Sequence, residues 1–553
     1  MSGLLPTSAA RARSPSPSLT SPHLYRPKST SRIPAPTPLL QLLSFLGLNP
    51  NAGRFHRLRT HSSFSFRSLI TPVTLILLPL WLLLILHTEH WTYTSHLRAC
   101  DWDKWEKWPA GATPHRLALV ADPQLVDIHT YSRRGPALWA TIFYTDLYLR
   151  RNWDVLHSDL LPLETVFLGD LFDGGREWGV ATHKDTHSHD EVPIPQDPKG
   201  EKDWKSYGNS YWFNEYARFL NVFSSPAGIR SYRSLPGNHD LGFGTGVKRS
   251  VRERFEAYLG DTNRVWRSGN HTFVAIDTVS LSNENDAAVF GPSKEFLESL
   301  SATDNPDAGG SALLNINTPA AKRPFPHTLQ KGASHSTSTD PAISTKQLPT
   351  ILLTHVPLYR SASTPCGPLR ERGTSIPIWK GYQYQNVLSP ELSQKLLTTI
   401  DPRYVFSGDD HDACEVTHSG MVKEVTVKSA SWAMGVRRPA IYLVSLWNPD
   451  SGDGKDQVTL KGKMCLLPDM IGGLLGYVWM LVFSVVVVAG YVGHGELRRK
   501  RKGKARMILP GEGGKYAKKK RIGEQGALRK WVGEMAKVVV LVAPLYVVIV
   551  WWW

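Results

Sequence analysis

Three long apolar segments constrain the topology of this 553-residue chain more than any other feature of its sequence. Residues 69–87 contain no Asp, Glu, Lys or Arg, residues 471–492 form a second apolar stretch, and residues 536–553 end in three tryptophans. A helix needs about 20 apolar residues to cross a bilayer, and tryptophan favours the membrane–water interface. The sequence therefore predicts three transmembrane helices.

The charged residues are distributed unevenly around these segments. Residues 1–67 hold nine basic and no acidic side chains, and residues 494–530 hold fourteen basic and three acidic ones. Residues 88–470 hold 40 basic and 44 acidic side chains. Because basic segments stay on the cytosolic side of a membrane, we expect residues 1–67 and the loop 494–530 in the cytosol and residues 88–470 on the opposite side. This topology explains the net charge of +16 without a nucleic-acid partner.

Composition and periodicity divide the chain further. Residues 1–67 are rich in Ser, Pro and Arg and lack an apolar period, which predicts disorder. Residues 180–205 and 301–348 are polar and irregular, and we expect them to be surface inserts. Between the first two spans, strand and helix patterns alternate and then strands follow one another, which favours a layered α/β (α+β) sandwich. The predicted strands are 116–121, 165–168, 272–277, 350–354, 403–407, 424–428 and 440–446, and the predicted helices are 137–152 and 211–223.

All four cysteines lie in the segment that we place on the non-cytosolic side, where disulfides can form. Cys100 and Cys465 flank this segment near the two spans, so a bond between them is attractive, although spacing does not determine the connectivity. Cys414 suits a packed thiol or one half of a disulfide. The sequon Asn270-His271-Thr272 fits a glycoprotein with a lumenal domain.

Five short blocks of polar residues follow apolar runs. Carboxylate, imidazole and amide groups at the ends of strands are ligands for divalent ions, and glycine beside them permits a tight turn. Two such ions about 3.5–4 Å apart clamp a phosphoryl group and lower the pKa of a bound water. Each block alone is compatible with a structural role, but together they predict a dinuclear site for phosphoester hydrolysis. The blocks are Asp122-Pro123-Gln124, Gly169-Asp170-Leu171-Phe172-Asp173, Gly237-Asn238-His239-Asp240, Thr354-His355-Val356-Pro357 and Gly408-Asp409-Asp410-His411.

This set resembles the calcineurin-like metallophosphoesterase superfamily, whose pattern is D-x-H, G-D-x-x-D, G-N-H-D/E, a lone His and G-H-x-H. The resemblance covers residues 115–446 and implies a four-layer α-β-β-α sandwich. It also implies two metal sites that share Asp170 as a bridge. The first metal would be held by Asp122, Gln124, Asp170 and His411, and the second would be completed by Asn238, His355 and Asp409.

The same resemblance implies a catalytic role for His239, which would protonate the leaving oxygen or bind the phosphoryl oxygens. Asp173 or Asp240 would orient its imidazole. Two positions depart from the superfamily pattern: Gln124 stands where His is usual, and Asp409 stands where the first His of G-H-x-H is usual. Amide and carboxylate oxygens are harder ligands than imidazole, so we expect two divalent ions of the Mn²⁺ or Mg²⁺ type, with Mn²⁺ first, rather than Zn²⁺ or Cu²⁺.

Within the superfamily the chain is similar to the membrane-bound subgroup that removes ethanolamine phosphate from glycosylphosphatidylinositol (GPI) anchors in the secretory pathway. The likeness implies a phosphodiesterase on the lumenal side of the endoplasmic reticulum or Golgi membrane, with a lipid-linked glycan or GPI-anchored proteins as partners. It rests on Ala-Asp-Pro-Gln-Leu at 121–125, Phe-Tyr-Thr-Asp-Leu-Tyr-Leu-Arg-Arg at 143–151, Thr-His-Val-Pro-Leu-Tyr-Arg at 354–360 and Ser-Gly-Asp-Asp-His-Asp-Ala-Cys-Glu at 407–415.

Three alternatives to this function stay open. A phosphomonoesterase or protein phosphatase would use the same metals on another substrate. A protein of manganese homeostasis would bind the ions without turnover. A membrane scaffold or cargo receptor for anchored proteins would need neither metal.

Overall fold

A computed structural model describes residues 66–177, 208–301, 348–381, 383–449, 457–505 and 516–551 of the chain. The chain divides into two compact units, and the unit that begins at Ile70 contains both the spans and the sheets. The disorder predicted for residues 1–67 and the insert predicted at 180–205 lie outside the described residues, apart from Phe66 and Arg67. Most of the insert at 301–348 lies outside them as well.

The described strands form two mixed sheets and a small hairpin. A five-stranded sheet and a six-stranded sheet lie at the centre, and all seven strands predicted from the sequence occur in them within two residues at either end. The strands are β1 His115–Val120, β2 Glu164–Phe167, β3 Arg230–Tyr232, β4 Arg264–Ser268, β5 His271–Ala275, β6 Thr350–Leu353, β7 Lys380–Gly381, β8 Tyr384–Gln385, β9 Tyr404–Ser407, β10 Cys414–Thr417, β11 Lys423–Thr426, β12 Ala440–Leu446 and β13 Leu460–Leu466. The orders are β13-β12-β1-β2-β3 and β10-β11-β9-β6-β5-β4, and β7 pairs with β8.

Apolar side chains on the inner faces of the two sheets pack against each other. Leu117 and Leu119 of β1 share one buried core with Ile351 and Leu353 of β6 and with Phe406 of β9. Successive side chains of a strand point to opposite faces. The alternate residues of the same strands therefore face outward, where helices cover them.

The outer helices complete a four-layer arrangement. On the five-stranded sheet, Trp153 of one helix and Phe219 of another contact Phe167 of β2. On the six-stranded sheet, Leu352 and Val405 share a buried core with the helices on that side. The α-β-β-α sandwich is thus confirmed. The helices of the domain are α2 Pro136–Val155, α3 Asn209–Val222, α4 Arg249–Leu259, α5 Ala287–Ser301 and α6 Pro390–Ile400, besides the single turns Trp102–Trp105, Asn238–Leu241 and Thr278–Leu281.

Three described helices are long and apolar enough to cross a membrane. Helix α1 extends over Pro72–Ala99, with a π-helical turn at His87–Trp91, and the other two spans are Met470–Arg501 of α7 and Gly526–Trp551 of α8. Helices α7 (Met470–Ala505) and α8 (Tyr516–Trp551) continue into the basic segment predicted as a loop, because arginine and lysine favour helices. The prediction of a membrane protein is supported by these spans.

The spans are joined to the domain by polar contacts and a disulfide. Arg151 of α2 forms a buried ion pair with Glu89 of α1 at 2.5 Å, and the hydroxyl of Tyr477 donates to the same carboxylate at 2.6 Å. Cys100, at the end of α1, is bonded to Cys465 of β13, as the sequence suggested. The second disulfide joins Cys366 to Cys414, so all four cysteines are paired.

Candidate metal centre

Polar side chains from both sheets meet at the carboxyl ends of the central strands. Asp122 follows β1, Asp170 follows β2 and His355 follows β6, and all three side chains are buried. One ligand atom from each lies within 4.8 Å of the others. Because parallel strands bring their carboxyl ends to the same edge, the two sheets deliver these ligands into one space.

The imidazole of His355 faces a group of oxygen atoms. Its Nε2 lies 3.4 Å from Oδ1 of Asp170, 3.4 Å from Oδ1 of Asp409 and 3.3 Å from Oδ1 of Asn238. Nδ1 donates to the carbonyl of Leu168 at 2.8 Å, so the neutral imidazole, the form that binds a metal, carries its lone pair on Nε2. An imidazole lone pair directed at two carboxylates and an amide oxygen is an arrangement typical of metal ligands.

Asp170 is the residue that the sequence predicts as the bridge between the two metals. Its Oδ1 accepts from the backbone N–H of His239 at 2.8 Å, and a Cβ at Gly237 would collide with the same carboxylate. Burial alone would raise the pKa of Asp170, but His355 and His239 outweigh it and hold the pKa below its usual value. The carboxylate is therefore charged in this setting.

The backbone of most predicted ligands adopts a left-handed conformation. Five of the seven have φ between 37° and 67°, a region that costs non-glycine residues about 1–3 kcal/mol each. Such strain persists where the surroundings fix it: the backbone N–H of Gln124, for example, donates to the carbonyl of Asp170 at 2.8 Å. The clustering of strained residues at one point indicates a functional site. These residues are Asp122, Gln124, Asp170, Asp409 and His411.

Two buried oxygen atoms at the centre lack a hydrogen-bond partner among the described residues. They are Oδ2 of Asp122 and Oε1 of Gln124. The amide of Gln124 is held by its Nε2, which donates to Oδ1 of Asp173 at 2.9 Å, so its oxygen is left for another contact. Buried oxygens without partners are costly, and divalent cations would satisfy both. The residues present therefore fit the implied metals.

The remaining predicted ligands also lie at this centre. Asn238 is buried, and its Nδ2 donates to the carbonyl of Gln383 at 3.0 Å, which turns its Oδ1 towards His355. The backbone N–H of Asp409 donates to Oδ1 of Asp122 at 3.1 Å. Burial lowers the pKa of His411 in spite of the nearby carboxylates of Asp170 and Asp409, so its ring is neutral, as a metal ligand must be. The structure thus brings together all seven residues named from the sequence.

His239 lies beside this group with its ring held by Asp173. Its Nδ1 is 3.1 Å from Oδ1 and 3.0 Å from the backbone oxygen of Asp173. Burial and the guanidinium of Arg176 act to lower the pKa of His239, but the carboxylates of Asp170 and Asp173 raise it above its ordinary value. The imidazole is therefore suited to donate a proton.

Asp240 has a different position. Its carboxylate accepts from the backbone N–H groups of Gly237 at 2.8 Å, Leu171 at 3.0 Å and Phe172 at 3.2 Å. Burial raises its pKa to about 7. Asp240 ties the loop of Asp170 to the loop of Asn238, and of the two carboxylates predicted to orient His239, Asp173 is the one that contacts the ring.

Sequence reasoning missed three contributors to the centre, and two of them are Leu168 and Gln383. Each acts through its backbone carbonyl, the first on His355 and the second on Asn238. Because every residue has a backbone carbonyl, a contact made through the carbonyl cannot be recognised from the type of the residue. Arg176, three residues after Asp173, was also missed, although its guanidinium donates to the carbonyl of Asn238 at 3.2 Å.

A centre of this kind between two sheets defines the class of metal-dependent phosphoester hydrolases. Comparison with known proteins agrees with this assignment. The model of the calcineurin-like phosphoesterase family matches residues 127–413. The chain belongs to this family.

Two curated relatives and one solved structure illustrate the likeness. Cell division control protein 1 of Saccharomyces cerevisiae is 36% identical over 425 residues, which cover 74% of this chain and 72% of the relative. Metallophosphoesterase 1 of Pongo abelii is 26% identical over 435 residues, which cover 76% of this chain and 90% of the relative. A dimetal phosphatase from Danio rerio aligns in structure with 13% identity and a TM-score of 0.32, over 64% of this chain and all of that chain.

Proposed function

We propose that this protein is a lumenal phosphodiesterase that removes ethanolamine phosphate from a mannose of a GPI anchor in the endoplasmic reticulum or Golgi membrane. The observation that carries the hydrolytic part is the convergence of Asp122, Asp170 and His355 within 4.8 Å beside the imidazole of His239. The assignment of the substrate is based on the four segments that resemble the GPI-processing subgroup and on the spans at both ends of the domain.

The chain's own residues supply orientation and a proton. Two divalent ions at this centre would clamp the phosphoryl oxygens and lower the pKa of a water. The oxygen of the attacking water would form a bond to phosphorus, its proton would pass to solvent, and the bond from phosphorus to the mannose oxygen would break. His239 donates its proton to that leaving oxygen, while Asp173 holds the ring. The products are free ethanolamine phosphate and a mannose hydroxyl.

Mn²⁺ is the ion that we propose for both positions. Gln124 contributes an amide oxygen and Asp409 a carboxylate where related sites use imidazole. Oxygen ligands favour Mn²⁺ and Mg²⁺, whereas the remaining imidazoles of His355 and His411 favour Mn²⁺ over Mg²⁺. The combination of hard oxygens and two imidazoles supports manganese.

Three observations support a lumenal orientation of residues 88–470. The flanking basic segments favour the cytosol. All four cysteines are paired in disulfides, which persist in an oxidising compartment. Asn270, the acceptor of the sequon, is exposed at the turn between β4 and β5.

The test is turnover by the purified full-length protein with Mn²⁺ on a defined GPI glycolipid that carries ethanolamine phosphate on a mannose, followed by mass spectrometry. The wild type should remove the group, and His239→Ala should bind the metals but leave the glycolipid intact. A higher kcat/KM on a phosphopeptide would contradict the proposal in favour of a protein phosphatase. Full cellular activity of His239→Ala would favour manganese handling, and full activity of the metal-free variant Asp170→Asn would favour a scaffold.

A further inference from the structure

The amino-terminal half of α2 and the loop before it expose aromatic and basic side chains together. Trp139 is 59% exposed and stacks on Phe143 one turn later, with ring centroids 5.4 Å apart. Arg133 and Arg134, in the loop before the helix, are also exposed. Basic and aromatic side chains exposed next to each other are typical of segments that lie in a membrane interface.

This aromatic face is continuous with a membrane span. The ring centroid of Phe143 lies 6.2 Å from that of Trp551, which is the last described residue of α8 and is 61% exposed. One residue further, the hydroxyls of Tyr144 and Tyr546 are hydrogen-bonded at 2.8 Å. Tryptophan at the end of a span marks the level of the lipid headgroups. The exposed face of α2 therefore lies at that level.

Strand register places the metal centre at the membrane end of the domain. Leu119 of β1 pairs antiparallel with Tyr442 of β12, which in turn pairs antiparallel with Met464 of β13. The carboxyl ends of β1 and β13 thus share one edge of the sheet. Asp122 follows β1 at this edge, and α7 begins at Met470, just after β13.

One loop connects the centre to the face on α2. It begins with the ligands Asp122 and Gln124 and ends with the exposed arginines before α2. Within it, Thr130 is hydrogen-bonded to the side chain of Asp173, and the hydroxyl of Tyr131 donates to the carbonyl of Ala433 at 2.7 Å. Because one loop carries both the predicted ligands and the exposed arginines, the distance of the arginines from the bilayer also determines the distance of the metal centre from it.

We propose that residues 131–143 form a docking surface for the bilayer, with Trp139 and Phe143 among the headgroups and Arg133 and Arg134 on the phosphates of the phospholipids. The docked surface keeps the metal centre at the membrane surface, where phosphoesters of lipid-linked substrates lie. This inference goes beyond the proposed function, since it holds whichever lipid-linked phosphoester is cleaved.

The direct test measures the depth of residue 139 in the full-length protein. Because all four native cysteines are paired, Trp139→Cys provides one free thiol for a nitroxide label. The matched control is Met421→Cys: Met421 is 74% exposed and precedes β11, at the end of the second sheet opposite to the centre. Each protein is reconstituted in vesicles of phosphatidylcholine and phosphatidylserine in equal parts.

Power saturation then compares the access of oxygen, which partitions into lipid, with that of a water-soluble nickel chelate. The label at residue 139 should favour oxygen, and the label at residue 421 should favour nickel. Equal access of nickel to both labels would overturn the proposal. Protection of residue 139 from both reagents would also overturn it, because a protein partner rather than lipid would then cover the surface.

A charge-reversal pair tests the contribution of the arginines. Arg133→Glu/Arg134→Glu should lower turnover of a phosphodiester embedded in the vesicles about tenfold, with turnover of soluble bis(p-nitrophenyl) phosphate unchanged. Arg267→Glu/Lys423→Glu, at exposed positions on the opposite end, should change neither. An equal loss on both substrates, or no loss, would contradict the role of Arg133 and Arg134. Absence of all turnover in the wild type would refute the proposed function and leave the depth measurement valid.

Discussion

The Nδ1 atom of His355 donates to the backbone carbonyl of Leu168 at 2.8 Å. Leu168 belongs to the segment after β2 that carries Asp170, whereas His355 follows β6 of the other sheet. This hydrogen bond fixes the tautomer of the imidazole and points Nε2 at the carboxylates. One segment therefore supplies a predicted bridging ligand and orients a second ligand across the interface between the sheets.

The close approach of Gly237 to Asp170 gives a sharp prediction. A Cβ at Gly237 would collide with the carboxylate and with the backbone of Asp170. We expect Gly237→Ala to displace Asp170 and to lower the affinity for the metals at least tenfold. Isothermal titration with Mn²⁺ on the purified protein measures this.

Gly291→Ala is the matched control, because a Cβ at Gly291 in α5 meets no atom within 4 Å. It should leave metal affinity unchanged, and alanine in place of glycine in a helix should stabilise the protein by roughly 0.5–1 kcal/mol. Equal metal affinities for Gly237→Ala and the wild type would show that Asp170 is not a ligand.

A substitution that removes the imidazole of His239 should abolish proton donation and leave metal binding intact. Its backbone N–H contacts Asp170, but its imidazole is held by Asp173, so we expect His239→Ala to retain both ions. The activity should fall about 10²- to 10⁴-fold through kcat, because the leaving oxygen loses its proton donor. Kinetics and metal analysis on the same preparation test this, and a loss of metal parallel to the loss of activity would contradict it.

Gln124 should control the choice of metal. Its Oε1, which has no hydrogen-bond partner among the described residues, would be the hard donor that distinguishes this centre from those with histidine at the same position. We expect Gln124→His to shift the preference from Mn²⁺ towards Zn²⁺, measured as the ratio of the two ions retained after dialysis against an equimolar mixture. An unchanged ratio would place the amide oxygen outside the coordination sphere.

A half-buried histidine outside the metal centre predicts a pH dependence of stability. The Nδ1 of His129 lies 3.2 Å from Oδ1 of Asp127, and its Nε2 lies 2.7 Å from Oε1 of Glu177. Burial opposes the charged form, but the hydrogen bonds that the ring donates to Asp127 and Glu177 outweigh it and raise the pKa of His129 from 6.5 to about 10. The protonated imidazole therefore joins the loop after β1 to the loop after β2.

Because the folded pKa lies above the unfolded one, this contribution is complete below pH 6.5, declines as the pH rises and is lost above about pH 10. Its size is on the order of a few kcal/mol. Denaturation of the wild type and of His129→Gln across this range should show a difference in unfolding free energy that shrinks with rising pH. A constant difference would mean that His129 is neutral in the folded protein.

Much of the fold could be predicted because its signals are local. Apolar runs such as that of β12 gave strand positions directly, and the ligands lie at strand ends, where their motifs are contiguous in sequence. The pairing of β1 with β12, more than 300 residues later in the chain, left no such signal. Contributions of the backbone could not be predicted from the sequence either. The hydrogen bonds to the carbonyls of Leu168 and Gln383, and the left-handed backbone of Asp409, are seen only in the folded structure.

The membrane-spanning part likewise combines features that the sequence predicts with contacts that only the structure shows. The spans are evident from composition, whereas the ion pair of Glu89 with Arg151 joins residues in unrelated sequence contexts. Of the two carboxylates considered for His239, only the structure distinguishes Asp173, at the ring, from Asp240, at the backbone of Gly237.

The content of divalent metal in the purified full-length protein tests the central claim most directly. Plasma mass spectrometry after dialysis against Mn²⁺ should find two ions per wild-type chain and fewer than one in Asp170→Asn, because the carboxylate predicted as a bridge would be shared by both sites. The thermal stability of Asp170→Asn, measured in parallel, shows that the variant is folded. A folded wild type without bound ions, or an unchanged content in Asp170→Asn, would contradict the dinuclear centre.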